Sequence, residues 1–178
     1  MQQKRKLFPN VKGLTVSAML VAMSVIIGIF CKNYLNFGGG LFRVTFENLP
    51  ILLSGILFGP IVGCFVGVGS DLVSYLMSNQ IYPPNLIVTV GAGLVGICAG
   101  IVAKFLVKRN GTVQIVAAGA TAHFVGSMVV KSIGLYQYYG ALVLWRIPLY
   151  LVIASLEIFV LCMLYRRKSF QRLLKDVQ

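Results

Sequence analysis

The chain has 178 residues, 58% of them hydrophobic and only 11% charged, with a formal net charge of +12. A soluble domain carries about 25% charged residues, so this composition excludes a water-facing surface and points to an integral membrane protein. The cations fall in short clusters between long apolar runs, as membrane flanks do, which excludes the striped basic face of a nucleic-acid binder.

Apolar windows of about 20 residues predict six transmembrane helices, roughly 12–31, 44–59, 60–78, 85–107, 112–134 and 145–165. The expected fold class is an all-α membrane protein forming a single integral-membrane domain over residues 1–178. The basic opening "MQQKRK" and the apolar run behind it have the form of a signal peptide. No small-x-small site closes the run, however, and bulky Phe30 before Cys31 makes a poor lipobox, so the segment reads as an uncleaved first helix. That helix carries Ala18 and Ala22 at four-residue spacing, a face that permits close approach of another helix. "GGG" at 38–40 gives the first outer loop the freedom of a gate.

Arg43 and Glu47 stand at the entrance to the second helix and are expected to cap it; Pro50 falls in its first turns, where a missing N–H is tolerated. "FGP" at 58–60 turns the chain into the third helix, where Asp71, Ser74, Tyr75 and Ser78 share one face. Pro83-Pro84 and Asn110-Gly111 break the chain before the fourth and fifth helices. In the fourth, "GAGLVG" at 91–96 matches a dinucleotide fingerprint, but that motif needs a strand before it; inside an apolar span it reads as helix packing. His123, Ser127 and Lys131 line one face of the fifth helix, and Arg146, Tyr150 and Glu157 one face of the sixth.

An even number of helices puts both termini on one side. That side holds Lys4, Arg5, Lys6, Lys12, Lys104, Lys108, Arg109, Arg166, Arg167, Lys168, Arg172 and Lys175, against Lys32, Arg43, Lys131 and Arg146 on the other, so the termini are expected to be cytoplasmic. Cys31, Cys64, Cys98 and Cys162 lack metal spacing and read as packing residues. There is no G-x-x-x-x-G-K-[ST], so ATP hydrolysis through a P-loop is excluded, and the residues imply no catalytic group, metal or cofactor.

Charge in hydrocarbon is expensive and tends to face a cavity or a partner. Three polar stripes therefore point to a shared interior cavity, the alternative being structural pairs such as Asp71 with Lys131. The outer half gathers Lys32, Arg43, Lys131 and Arg146 against Glu47, which favours an anionic ligand. Aromatics from Tyr34 to Trp145, Tyr139 among them, either stack on a planar ring or form the interfacial belt; both readings stay open.

The "NVKGLTVSAMLVAMSVIIG" opening, "FRVTFENLPILLSGILFGP" and the longer "LPILLSGILFGPIVGCFVGVGSDLVSYL" resemble the substrate-binding S-components of energy-coupling factor (ECF) vitamin transporters, and most of all their folate-specific branch. The resemblance covers essentially the whole chain. It implies a bacterial plasma-membrane subunit that binds its vitamin from outside. It also implies docking on a transmembrane coupling subunit and two ABC-type ATPases, with toppling in the membrane to release the vitamin. Ala18 and Ala22 would then form the docking face. Folate suits the charges, since Lys131, Arg146 or Arg43 would receive its two tail carboxylates. Asp71 would accept from the pterin while tyrosines such as Tyr75 and Tyr139 stack on it, and Glu47 completes the expected substrate-binding set. Another anionic vitamin such as pantothenate is the alternative ligand. A self-contained channel or secondary transporter would show inverted repeats, and none is evident. A membrane enzyme using Asp71, His123 and Glu157 for acid–base chemistry lacks an accompanying nucleophile or metal spacing.

Overall fold

In lipid every backbone N–H and C=O must find its partner within the protein, which favours helices wherever the sequence is continuously apolar. The computed structural model describes residues 11–37, 42–77, 85–106 and 111–167, and nearly all of them are helical. Helix α1 spans Val11–Tyr34 and is followed by a two-residue antiparallel ladder of β1 (Asn36–Phe37) and β2 (Phe42–Arg43). Then come α2 (Asn48–Phe58), α3 (Pro60–Met77) and α4 (Leu86–Ile101), the last continuing through a π-helical turn at Val102–Leu106. Helix α5 (Gly111–Ala122) runs through a π-helical segment, His123–Val130, into α6 (Lys131–Tyr139). A 3-10 segment, Gly140–Trp145, leads to α7 (Arg146–Tyr165). The "GGG" loop, Pro83-Pro84 and Asn110 lie outside the described residues, as do the basic residues before Val11 and after Arg167.

Four stretches are long and apolar enough to cross a membrane: Val11–Tyr34, Pro60–Met77, Leu86–Phe105 and the joined Gly111–Tyr165. Their outward faces carry Ile26, Phe65, Leu76 and Phe159, all well exposed, as a lipid-facing shell requires.

Helix α2 departs from the expected 44–59 span. It has 11 residues, a rise of about 16 Å against a hydrocarbon core of about 30 Å. The residues before it, Val44 to Phe46, are non-helical, and Val44 donates its N–H to the Leu35 carbonyl at 3.1 Å. β-branched Val44 and Thr45 have low helix propensity, and Pro50 sits as the third helical residue, where its missing N–H costs little. All of Ile51 to Leu57 is buried, so α2 is a core element with no face given to lipid.

Gly59 closes α2 with φ of 99°, a conformation that favours glycine, and donates its N–H to Gly55 O at 2.9 Å. The next residue, Pro60, already begins α3, as the sequence predicts. Lys104, in the π-helical turn that follows α4, donates to the Phe58 carbonyl at 3.0 Å, which brings that end of the helix to this turn.

Backbone-to-backbone contact between α2, α3 and α4 forms the centre of the fold. A methyl at Gly63 would lie 2.6 Å from the Gly96 carbonyl oxygen, and one at Gly55 would lie 2.5 Å from that same atom. "GAGLVG" is thus packing surface, as expected. Around this contact Leu52, Val62, Val66, Val95 and Ala99 are buried, and α5 adds Ile115, Ala118 and Ala122.

A buried histidine–carboxyl contact joins α7 to the π-helical segment: His123 Nε2 lies 2.7 Å from Glu157 Oε2, with Ser127 Oγ 3.4 Å from His123 Nδ1. Both partners are closed off from the exterior, Glu157 completely.

Two expectations follow from this packing. Gly63→Val is expected to lower stability in detergent by about 2 kcal/mol or more, because the clash is with backbone. Gly69→Ala, where a methyl meets nothing within 4 Å, should be neutral or stabilising by up to about 1 kcal/mol; thermal unfolding compares the two. Replacing either His123 or Glu157 by Leu strands a buried charge or polar group, at a cost of roughly 3 kcal/mol each. The double replacement is expected to cost about 2 kcal/mol less than the sum, and strict additivity in the cycle would show that the two do not act as a pair.

Candidate functional site

At the end of the bundle opposite the Gly59 turn, the fold gathers polar side chains from α1, α3, α4, α6 and the start of α2. Lys131 is at the centre. It is the first residue of α6 and is buried, and its stem lies flat on α4, where a methyl at Gly91 would come 2.8 Å from Lys131 Cγ. Its ammonium donates to Asn48 Oδ1 at 2.8 Å and lies 3.6 Å from Glu47 Oε1. Asn48 and Glu47 are at the beginning of α2, so Lys131 ties α6 to the entrance of that helix.

Glu47 was expected to cap α2. Its side chain makes no cap hydrogen bond and faces Lys131 instead, while its carbonyl accepts from Ser24 Oγ of α1 at 2.7 Å. Nearby, Lys32 near the end of α1 donates to Ser74 Oγ of α3 at 2.9 Å and more weakly to the Ser74 carbonyl at 3.4 Å.

Asp71 accepts from Thr89 Oγ1 of α4 at 2.6 Å. The alternative considered for it, a pair with Lys131, is not formed. Thr89 and Gly91 are two residues apart on α4, about 200° around the helix, so Asp71 and Lys131 reach α4 from different sides. Tyr75, one turn beyond Asp71, is half-buried.

Arg146 opens α7. It is buried and its guanidinium lies over the Tyr150 ring, 5.4 Å from the centroid. Tyr139 is half-buried at the end of α6. Arg43 belongs to β2, and its side chain lies outside the described residues. Tyr34, Tyr136 and Trp145 are among the most exposed aromatics, so they suit the interfacial belt better than an interior stack. Ala18 and Ala22 are both exposed on α1.

Several polar residues at this end escaped the sequence reading, Ser24 of α1 among them. Asn48, Thr89 and Asn85 carry no charge and sit beside apolar runs, so they do not register in a count of ionisable groups. Asn85 had a local signal, being an Asn immediately before an apolar helix. Its side chain caps α4 by accepting from Ile87 N and Val88 N, and it donates to the Gly134 carbonyl at 2.6 Å.

The arrangement is suited to holding an anion or a polar planar group at one end of an apolar bundle. Lys32, Lys131 and Arg146 supply cations, Glu47 and Asp71 supply acceptors, and hydroxyls and amides lie between them.

Known proteins resemble the chain at two levels. A protein of Mycoplasma pneumoniae (strain ATCC 29342 / M129 / Subtype 1), named "Uncharacterized protein MG098 homolog", is 35% identical over 96 residues, which is 54% of this chain and 19% of that protein. The match thus spans about a fifth of the length of that curated relative. Among solved structures, the crystal structure of FolT bound with folic acid matches with a TM-score of 0.61 at 19% identity, covering 86% of this chain and 90% of that one. At that identity the likeness establishes the fold. The family described as ECF transporter, substrate-specific component, matches residues 12–173, nearly the whole chain, including every polar group gathered at this end of the bundle. The chain belongs to the substrate-specific components of ECF transporters.

Proposed function

We propose that the chain is the high-affinity folate-binding subunit of an ECF transporter in a bacterial plasma membrane. On this reading residues 1–178 form one membrane domain of six spans: α1, α2, α3, α4, the α5–α6 rod and α7. The termini are cytoplasmic, because Lys12, Lys104, Arg166 and Arg167 gather at the end opposite Lys32, Lys131 and Arg146. Folate enters from the extracellular side. The loaded subunit then docks on a transmembrane coupling subunit served by two ABC-type ATPases, which hydrolyse the ATP. Exposed Ala18 and Ala22 on α1 are the proposed docking surface.

The observation that carries this reading is the buried ammonium of Lys131 at the end of a FolT-like fold, held by Asn48 and Glu47. In the proposed site Lys131, Arg146 and Arg43 receive the tail carboxylates. Asp71 accepts from the pterin, with Tyr75 and Tyr139 beside the ring and Glu47 at the rim. Glu47 already offsets part of the charge on Lys131, which keeps a smaller monocarboxylate such as pantothenate as the second reading.

Calorimetry on the purified protein in detergent is expected to show one-to-one folate binding, and folate should give the largest thermal stabilisation in a panel of anionic vitamins, about 2.7 kcal/mol at a hundredfold excess over Kd. A larger shift with pantothenate would select the second reading. Lys131→Ala and Arg146→Ala should each weaken folate by roughly 10- to 100-fold, the loss of one charge-assisted hydrogen bond. Normal binding by both variants would refute the carboxylate assignment. Vesicles carrying this chain without ATPases should accumulate no folate.

A further inference from the structure

Glu47 stands where the chain passes from the non-helical segment after β2 into α2. A carboxylate at this position ordinarily accepts from the first backbone N–H groups and is favoured by the helix dipole. The Glu47 side chain makes no such bond. It reaches across to Lys131 instead, at 3.6 Å, well beyond the roughly 2.7–2.9 Å of a charge-assisted hydrogen bond. The short bond of the ammonium, 2.8 Å, goes to the neutral amide of Asn48. Glu47 therefore neutralises Lys131 from a distance without saturating it.

The surroundings allow the carboxylate to hold this place. Gly28 of α1 leaves the space it occupies, since a methyl there would come 3.0 Å from Glu47 Oε2. Ser24 Oγ fixes the Glu47 carbonyl at 2.7 Å, so the backbone is anchored while the side chain alone makes the charge contact. The pair lies near the rim, with Glu47 more exposed than Lys131, 13% against 7% at the side chain.

We propose that Glu47 is the resident counter-ion of Lys131: the group an incoming carboxylate displaces, and hence a determinant of which anions the site accepts. This rests on the reading in which Lys131 receives a ligand carboxylate. A carboxylate at bonding distance satisfies the ammonium better than Glu47 does at 3.6 Å. It succeeds only if the rest of its molecule is held as well, because it must overcome the nearby negative charge. A bare anion such as acetate or inorganic phosphate has no such further contact. Glu47 thus lowers affinity for every anion and by doing so favours those attached to a larger ligand.

The test compares the unaltered full chain with Glu47→Gln and Glu47→Asp in detergent. The probes are the carboxylate vitamin that binds best in the panel, its derivative with every carboxylate amidated, and sodium acetate as a competitor. Asn48 remains on Lys131 in both variants, and a thermal melt without ligand confirms folding. Glu47→Gln is expected to tighten the carboxylate ligand about tenfold or more, change the amidated one less than about threefold, and make binding sensitive to millimolar acetate. Glu47→Asp keeps the charge on a shorter stem and is expected to fall between. Weaker binding of the carboxylate ligand by Glu47→Gln, an equal shift for both ligands, or no change overturns the counter-ion role while leaving the vitamin-binding reading intact. If the unaltered chain binds no carboxylate vitamin, both readings fall.

Discussion

An ammonium buried at one end of an apolar bundle sets the terms for everything around it. Removing Lys131 from water costs several kcal/mol unless neighbours replace the lost hydration. Those neighbours come from a helix 83 positions away in sequence, through the side chain of Asn48 and the carboxylate of Glu47. The need to supply them fixes the start of α2 against the start of α6. It also brings the Lys131 stem close to α4, which is possible only because residue 91 has no side chain. Three elements are thus positioned by one cation.

The glycine contacts make this arrangement rigid enough to matter. Lipid supplies no hydrophobic force between helices, so close packing of the backbones must supply the cohesion. At Gly63 and Gly96 two helices touch through their main chains, and Gly55 of α2 meets the same carbonyl. That contact compensates for the shortness of α2. A helix of 11 residues cannot reach across the bilayer unaided, but one buried on all sides by α1, α3, α4 and α5 needs no lipid match of its own. The non-helical chain before it carries Glu47 into the polar end. The half-length of α2 is therefore what lets a loop residue serve the site.

Much of the helical layout was legible in hydropathy, since long apolar runs have one low-energy answer in a membrane. The last span, expected at 145–165, is a helix over Arg146–Tyr165, and the turn at Gly59-Pro60 falls where two breakers adjoin. The expected second span erred because hydropathy does not distinguish an apolar non-helical stretch from a helix, and Val44 to Phe46 are non-helical. The polar stripes correctly grouped His123 with Ser127 and placed Glu157 in the interior, but a stripe gives a face and not a partner. His123 pairs with Glu157, whereas Asp71 meets Thr89 and Lys131 meets Asn48. Uncharged residues outside those stripes, such as Asn48, Asn85 and Thr89, gave no such signal, yet they provide some of the shortest contacts at this end.

Family membership gives the class of work, and the ligand rests on this chain's own residues. A likeness at 19% identity carries the path of the helices, not the chemistry lining them. What bears on the ligand is the balance of charge where α2 begins. Lys131 with Glu47 is nearly neutral, and Lys32 is held by the hydroxyl and carbonyl of Ser74. Ser74 is neutral and holds Lys32 without cancelling its charge, so this end of the bundle still attracts an anion. In the proposed reading that anion is also recognised by geometry, displacing a carboxylate that lies 3.6 Å from the ammonium. On that reading the site selects a ligand whose carboxylate is delivered by a body that fits, the requirement any substrate-binding component faces when its ligand is scarce and simple anions are abundant.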